Sequence, residues 1–314
     1  MIPTRNRWRL LSTSALPSAL GQEGVEHEVI VIDEGSDDGT SSELMALDEP
    51  RLRLIRHDEP RGVAQARNAG IAAGRGAWIA FLDDDDLWAP RKLRAQIDAA
   101  SAGRAAFAYT AAAWVDERRR FLHALAPPPA EQLAERLLRW NEIWAGGSNV
   151  LARTDVVRRL GGFDERLFQL ADWDLWLRLA LAGPAAAIDD VLVGYVVQPE
   201  SMLLTDRRDV FAEFRYLVDK HRETGERLGA APDAAKFVRW VAAGHLRAGR
   251  RRRAAATYAR GAVATRRPGL LPRAAFALVG PRAFGAARAA SRALRGDDPA
   301  KSADAEPVWL ERYR

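Results

Sequence analysis

The stretch AWIAFLDDDDLWAPRKL, residues 77–93, places four aspartates directly after an apolar run. The apolar part has the composition of a buried strand, and Pro90 can open the helix that follows. One or two acids at this point favour a helix N-terminus, but four adjacent like charges repel one another. Carboxylates clustered at a strand end are also typical of a Mg²⁺ or Mn²⁺ site, because these ions prefer oxygen ligands. Taken alone, the stretch leaves both interpretations open.

Strand and helix patterns alternate on the N-terminal side of this stretch. The runs EVIVID (28–33), RLRLIR (51–56) and AWIAFLD (77–83) predict strands. Near-continuous apolar strands separated by helices predict an α/β fold, with a mostly parallel sheet covered by helices on both faces. Ligands of such sheets bind at the carboxyl ends of the strands, where Asp33 and Asp83 lie. The helical patterns cover residues 8–20, 40–47, 63–73 and 90–102.

The pattern changes after residue 105, and this change divides the chain. AAFAYTAAAWVDERRRFLHAL (105–125) predicts two strands joined by a polar turn, and DWDLWLRLALAG (172–183) predicts a helix that ends at a glycine. Beyond Thr205 the pattern is helical, and the end of the chain is polar. We therefore predict an α/β domain over residues 1–204, a helical C-terminal extension over 205–292 and a disordered tail over 293–314.

Composition excludes several classes of protein. The chain has 314 residues, 48% of them apolar, which is enough for a sizeable core. It has no cysteine, so disulfide frameworks and thiolate metal sites are excluded, and its five histidines lack zinc-site spacing. No apolar run reaches the length of about 18 residues that predicts a membrane-spanning helix. These features predict a cytoplasmic protein.

The net charge of +5 is unevenly distributed, with a basic segment at RAGRRRRAAATYARGAVATRR (247–267). This segment can be a solvated helical face with intramolecular partners. It can also be an interfacial helix that contacts anionic lipid, which would place the protein peripherally at the inner face of a membrane. Nucleic acid is not an expected partner, because the arginines lack an aromatic platform or a reader motif.

A second acidic loop, VIDEGSDDGT (31–40), has the same form as the first. It is consistent with an ordinary strand-to-helix turn, or with a carboxylate that accepts hydrogen bonds from a ribose or a base. Arg67, in a helical pattern after Gly62, can likewise form a surface ion pair or contact a nucleotide.

Four motifs together resemble the family 2 glycosyltransferases of the GT-A fold, in order and in spacing, over residues 1–200. They are IPTRNRWRLL, VIVIDEGSDDGT, GVAQARNAGIAAGRGAWIAFLDDDDLWAPRKL and ADWDLWLRLA. The resemblance implies a Rossmann-like GT-A domain. It also implies inverting transfer of a sugar from a nucleoside-diphosphate sugar to a hydroxyl of a glycan or lipid-linked acceptor. Surface polysaccharide or glycolipid synthesis is the implied process, with Mg²⁺ or Mn²⁺ as cofactor.

The resemblance also implies roles for individual residues. Asp172 is the implied catalytic base, and Asp83 and Asp85 are the implied metal ligands. The stretch WAGGSNVLAR (144–153) is either a turn before a strand or the acceptor side of the site, where Gly147, Ser148 and Trp173 are the candidates. The implied donor-nucleotide residues are Pro3, Thr4, Arg5, Asp33, Glu34, Arg67, Asp83 and Asp84.

The chain departs from the family pattern at three points. Glu34 is longer by one methylene than the second acid of the family, Ala171 stands where many relatives have glutamate, and only Met1 and Ile2 precede Pro3. A sugar nucleotidyltransferase is an alternative, but it requires a glycine-rich loop after the first strand, and IPTRNRW has no glycine. A degenerate transferase that only binds a partner is a further alternative, which the presence of Asp85 and Asp172 disfavours. Residues 200–208 are a candidate for a mobile loop that excludes water.

Overall fold

A computed structural model describes residues 1–198, 209–279 and 306–313. Its first sheet contains three parallel strands in the order β1 (Ile2–Thr4), β2 (Val29–Glu34) and β3 (Leu52–His57). All six residues of β2 are buried, which explains why its sequence is a continuous apolar run rather than an alternating one. The register aligns Thr4 with Asp33, so the ends of β1 and β2 lie side by side.

The second sheet is mixed, and five of its strands follow the order β4-β8-β6-β9-β5, with β7 paired to β6. Strands β6 and β9 are parallel, whereas the other pairs are antiparallel. Strands β6 and β7 pair in antiparallel orientation because the polar turn predicted after residue 115 joins them. The strands are β4 (Trp78–Ala80), β5 (Leu87–Trp88), β6 (Phe107–Val115), β7 (Phe121–Leu125), β8 (Leu151–Arg153) and β9 (Ala185–Val196).

Met1 joins the two sheets. Its nitrogen donates to the Ala80 carbonyl at 2.8 Å, and the Leu82 amide donates to the Met1 carbonyl at 3.0 Å. In a parallel pair, one residue donates to one residue of the neighbouring strand and accepts from the residue two positions further on, as Met1 does with Ala80 and Leu82. Strand β4 therefore continues the parallel order of β1 to β3. The predicted α/β fold with a parallel sheet is confirmed, and the antiparallel strands extend it.

Helices cover these sheets. The helix predicted over residues 8–20 is continuous but irregular. A π-helical segment, Leu11–Ala15, separates its two α-helical parts, Trp8–Leu10 and Leu16–Leu20. The helices before residue 198 are α1 (Trp8–Leu10), α2 (Leu16–Leu20), α3 (Thr40–Ala46), α4 (Val63–Ala73), α5 (Lys92–Ala102), α6 (Leu133–Arg139), α7 (Thr154–Arg159) and α8 (Ala171–Ala182). Those after residue 209 are α9 (Val210–Lys220), α10 (Arg222–Leu228), α11 (Ala234–Arg247), α12 (Arg251–Ala264) and α13 (Leu271–Val279).

The C-terminal helices share a hydrophobic core with the α/β part of the chain. Phe214 of α9 stacks on Phe237 of α11 at 4.1 Å between ring centroids, and Phe214 also contacts Trp173 of α8 at 6.1 Å. Trp176 lies fully buried in the same cluster. The predicted boundary near residue 205 lies outside the described residues, as does the candidate mobile loop over 200–208.

Residues 306–313 correct the prediction of a disordered tail. They form a 3₁₀ segment, Val308–Tyr313, in which Leu310 is fully buried beside Leu87 and Val115. Trp309 Nε1 donates to the Val191 carbonyl at 2.8 Å. The prediction was based on the polar residues before 307. The apolar and aromatic side chains after that position cover the sheet beside β5. The remainder of the predicted tail, 293–305 and 314, lies outside the described residues.

In the described ranges, 1–198, 209–279 and 306–313, no helix combines the length and the apolar character that a membrane crossing requires.

Candidate active site

The four aspartates lie beyond β4, at the edge where β1 also ends. Asp84 is buried, accepting from Thr4 Oγ1 at 2.8 Å and from Arg7 Nη1 at 2.7 Å. Asp85 Oδ2 accepts from Arg7 Nη2 at 2.7 Å and from Gln198 Nε2 at 2.8 Å. Arg7 is therefore an internal counter-cation for two of the four acids. Sequence reasoning missed it, although its place just after the first strand puts it at the same edge.

Asp86 and Ser148 brace this acidic loop from behind. Asp86 accepts from Ser148 Oγ at 2.5 Å and from the Val196 amide at 2.9 Å, and both side chains are buried. Ser148 Oγ also accepts from the Asp83 amide at 3.0 Å. The structure thus places Ser148 behind the acids rather than on the wall of a pocket, and gives Asp86 a supporting position.

The acidic loop holds more negative charge than the nearby arginines neutralise. Burial, opposed in part by Arg7, raises the pKa of Asp84 to about 7. Burial and the neighbouring carboxylates also raise the pKa of Asp85 and that of Asp86. The raised pKa values mean that ionising Asp84, Asp85 and Asp86 together is costly, and a divalent cation nearby would lower that cost.

The acids fit a divalent cation only if the substrate supplies further ligands. No group of three metal-binding side chains occurs in the described part of the chain. Within that part, Asp83 Oδ2 and Asp85 Oδ1 accept no hydrogen bond from another side chain, so each carboxylate keeps one oxygen for a ligand. Magnesium typically takes one or two carboxylates and completes its shell with phosphate oxygens and water. Asp83 and Asp85 fit that donor set.

Arg67 projects from α4 towards the acids. Its guanidinium is almost fully buried, donates to Asp83 Oδ1 at 2.5 Å and lies 5.1 Å from the centroid of Phe163. Gly147 leaves room for it, since a Cβ there would come within 2.5 Å of Arg67 Nη2. The missing side chain at position 147 therefore allows Arg67 and Asp83 to meet.

Asp33 organises the second acidic loop. Its Oδ1 accepts from the Ser36 amide at 3.0 Å, and its Oδ2 accepts from the Ser41 hydroxyl. Pro3 lies in the neighbouring strand, and Arg5 is exposed just beyond it. The structure places these predicted donor residues around the ends of β1 and β2.

Glu34 has both carboxylate oxygens engaged within the protein. Oε1 pairs with His57 Nδ1 at 2.5 Å, while Oε2 accepts from the amides of Arg61 at 2.8 Å and Gly62 at 2.6 Å. Glu34 therefore holds the turn that leads into α4, and its extra methylene gives it the reach for that contact. In this arrangement it positions Arg67 indirectly.

Asp172 lies in the first turn of α8. Its Oδ1 accepts from the Trp173 amide at 2.7 Å, and its Oδ2 faces Gly146, where a Cβ would lie 3.1 Å away. Burial raises the pKa of Asp172 to about 6, although the charge of Arg67 opposes the shift. A carboxylate with this pKa is ionised near neutral pH and can still accept a proton efficiently.

Glu213, which sequence reasoning missed, fixes the approach to Asp172. Its Oε2 accepts from three successive backbone amides, those of Phe168 at 2.9 Å, Gln169 at 2.8 Å and Leu170 at 3.3 Å. These amides precede α8 and would otherwise lack partners, so a residue of the C-terminal helices holds the loop that carries Asp172. Glu213 reaches this loop because α9 packs near the start of α8, and no local sequence pattern indicates that packing.

A pocket of about 320 Å³ unites the central residues of the predicted site. Arg67, Asp83, Gly147, Asp172 and Trp173 all line it. Sequence reasoning missed most of its aromatic lining, which comprises Trp114, Trp140, Trp144, Phe168, Tyr195, Phe237 and Trp240. The last two belong to α11, so the C-terminal helices form one wall of the pocket.

A second pocket of about 750 Å³ adjoins the first at Gln198, which lines both. Asp85 and Arg7 line it, together with Asn6 and Asp38 from the loops after β1 and β2. The acidic loop thus separates an aromatic pocket that contains Asp172 from a polar pocket, lined by many charged and polar side chains, at the ends of the parallel strands. This is the edge where α/β sheets bind their ligands.

Comparison with known proteins finds several that are similar to part of this chain. The chain is 51% identical over 94 residues to the succinoglycan biosynthesis protein ExoO of Rhizobium meliloti, covering 30% of this chain and 27% of that protein. It is 32% identical over 109 residues to the Escherichia coli UDP-Glc:α-D-GlcNAc-diphosphoundecaprenol β-1,3-glucosyltransferase WfgD, covering 35% and 43%. The matches thus span less than half the length of these two curated relatives.

A solved structure and a family model extend the comparison. The mannosyltransferase PcManGT from Pyrobaculum calidifontis, in complex with GDP-Man and Mn²⁺, superposes with a TM-score of 0.51 at 22% identity, covering 95% of this chain and 80% of that one. This likeness concerns the fold. The model for glycosyl transferase family 2 matches residues 1–161, which is more than half of the chain and includes both acidic loops. The chain belongs to glycosyl transferase family 2.

Proposed function

We propose that this protein transfers a sugar from a nucleoside-diphosphate sugar to a hydroxyl acceptor, with inversion at the anomeric carbon. The observation that carries the proposal is the position of Asp172. It lines one pocket with Arg67 and Asp83, and its pKa of about 6 suits a general base. A nucleotidyltransferase has no need of such a base beside an aromatic pocket.

The polar pocket beside Arg7 and Asp85 is the proposed site of the nucleoside diphosphate. Thr4 and Asp33 lie at the strand ends that border it, with Pro3, Arg5 and Glu34 close by in the same strands and the loop after β1. The guanidinium of Arg7 supplies positive charge at this edge. The related structure from Pyrobaculum calidifontis binds GDP-Man, which supports the same class of donor here.

The chemistry follows from the two pockets. As the bond between the anomeric carbon and the phosphate oxygen breaks, negative charge develops on the leaving diphosphate. A Mg²⁺ or Mn²⁺ ion, when bound by Asp83 and Asp85, stabilises such charge as a Lewis acid. Asp172 accepts the proton of the attacking hydroxyl on the opposite side of the sugar. One base and one displacement invert the configuration, and no covalent intermediate with the enzyme is required.

The names of the relatives support a proposal for the acceptor and the cellular setting. ExoO acts in succinoglycan biosynthesis, and WfgD glycosylates a lipid-linked GlcNAc, so we propose a role in polysaccharide or glycolipid synthesis. Helix α13 exposes Leu271, Phe276 and Leu278, and Arg266, Arg267 and Arg273 stand close to them in sequence. This combination supports peripheral contact with an anionic membrane from the cytoplasmic side.

A donor screen tests the proposal. We expect UDP-glucose, UDP-GlcNAc or GDP-mannose to raise the melting temperature with Mn²⁺ present, and the stabilising sugar nucleotide to be consumed slowly by hydrolysis. The variant Asp172→Asn should bind the same donor as tightly as wild type but transfer its sugar at least 100-fold more slowly. If no sugar nucleotide binds, or if Asp172→Asn transfers normally, the proposed function is wrong.

A further inference from the structure

Besides Arg67, whose Nε is unpaired although its guanidinium pairs with Asp83, two side chains in the aromatic pocket carry buried polar atoms that have no hydrogen-bond partner among the described residues. They are Gln169, at both Nε2 and Oε1, and Trp114, at Nε1. Leaving a buried donor or acceptor unpaired costs about 1–3 kcal/mol, so native proteins rarely do so without a reason. Since both side chains line the pocket that contains Asp172, the reason is found in what the pocket binds.

The position of Gln169 connects it to the attacking group. It lies three residues before Asp172, and its backbone N–H donates to Glu213 Oε2 at 2.8 Å, which fixes the loop. The side chain of Gln169 lines the same pocket as Asp172, and its own amide group there remains unpaired. A group that contacts Asp172 belongs to the acceptor, because the base takes the acceptor proton. Gln169 therefore addresses the acceptor rather than the diphosphate.

The chemistry of these atoms specifies hydroxyl groups. A primary amide donates through nitrogen and accepts through oxygen, whereas an indole N–H only donates. Neighbouring hydroxyls on a ring can satisfy all three atoms, because each hydroxyl both donates and accepts. An aliphatic alcohol has only the one hydroxyl that Asp172 deprotonates, and it would leave Gln169 and Trp114 unpaired.

The remaining wall of the pocket suits the flat face of a ring. Trp140 lies between Trp173 and Trp240, at centroid distances of 5.4 and 6.2 Å. Aromatic faces carry partial negative charge and attract the weakly positive C–H groups on the face of a sugar. Apolar walls combined with a few placed polar groups are how pockets of this size orient a ligand.

We infer that the acceptor hydroxyl belongs to a pyranose ring, which lies against Trp240 of α11 and is read through its neighbouring hydroxyls by Gln169 and Trp114. The inference rests on the proposed function and narrows its acceptor to a glycoside. It assigns the C-terminal helices a part in acceptor choice, and it makes Gln169 and Trp114 specificity residues.

The test uses octyl glycosides of glucose, galactose, mannose and N-acetylglucosamine below their micelle concentrations, with 1-octanol as the sugar-free probe. Binding is followed by quenching of tryptophan fluorescence in the presence of UDP and Mn²⁺, and transfer by mass spectrometry with the donor found above. We expect at least one glycoside to bind and to be glycosylated, and 1-octanol to be inert. Equal or better use of 1-octanol would overturn the inference.

Two variants sharpen the test. Gln169→Leu should raise the apparent Kd and KM for the glycoside at least tenfold, and it should leave the melting temperature equal or higher because it removes unpaired atoms. Trp114→Phe should weaken glycoside binding while keeping the ring. Unchanged glycoside affinity in both variants would also overturn the inference.

Gln96 provides the matched control. Its Nε2 donates to the carbonyls of Ala108 at 3.1 Å and Asn149 at 2.8 Å, and its Oε1 accepts from Lys92 at 2.7 Å. Gln96→Leu should therefore lower the melting temperature without weakening the binding of glycosides. Fluorescence measures binding and does not depend on turnover. If the protein consumed no donor but still bound the glycoside through Gln169, the inference would be preserved and the proposed function rejected.

Discussion

The guanidinium of Arg67 occupies space that a side chain at Gly147 would fill, since a Cβ at that position would lie 2.5 Å from Arg67 Nη2 and 3.2 Å from Asp83 Oδ1. Glycine is required here for close approach, because its φ angle is not in the left-handed region. The pair formed by Arg67 and Asp83 therefore depends on a missing Cβ.

Gly147→Ala should lower kcat/KM by about 100-fold, as a displacement of about 1 Å at a reacting centre can do. The melting temperature should change little, because the end of an arginine side chain can move. Steady-state kinetics and a thermal melt measure the two effects. Gly269→Ala is the control, since a Cβ there meets no described atom within 4 Å, and it should preserve both quantities. Full activity in Gly147→Ala would show that the pair is dispensable.

The pH dependence of kcat should report Asp172. Burial raises the pKa of this carboxyl to about 6, and only the ionised form can accept a proton. We therefore expect kcat at saturating donor and metal to fall about tenfold for each pH unit below 6 and to level off above it. The residual activity of Asp172→Asn should lack this acidic limb, and a limb that persists in the variant would assign it to another group.

Asp85→Asn should weaken the binding of Mn²⁺ in the presence of UDP by at least tenfold, because the substitution removes a charged ligand. The spectrum of free Mn²⁺ in electron paramagnetic resonance measures this without turnover. Asp98→Asn serves as the control, since Asp98 pairs with Arg94 on the surface of α5. Equal Mn²⁺ affinity in Asp85→Asn and wild type would contradict the assignment of Asp85.

Glu213→Ala should destabilise the protein by about 3 kcal/mol, because it leaves three backbone amides before α8 without their charged acceptor. Urea unfolding measures the loss. Glu226→Ala, at an exposed site on α10, should change stability by less than about 0.5 kcal/mol. A loss in Glu213→Ala no larger than in Glu226→Ala would mean that water replaces the carboxylate at no cost.

The sequence determined the α/β class, the strands that end at Asp33 and Asp83, and the helix that begins beside Asp172. These features depend on local hydrophobic periodicity, which any stretch of chain displays on its own. Family motifs pointed in addition to Arg67 and Asp85. The antiparallel pairing of the short strand β8 (Leu151–Arg153) with β4 and β6 could not be predicted in this way, because it depends on partners far along the chain.

Tertiary structure alone decided which buried groups acquired partners. Arg7 meets two aspartates, Glu213 meets the loop before α8, and Leu310 covers a sheet edge only because segments distant in sequence pack together. The same packing leaves Gln169 and Trp114 without partners in a pocket. Whether a polar atom is satisfied is a property of its three-dimensional surroundings, and the order of residues does not encode it in any local pattern.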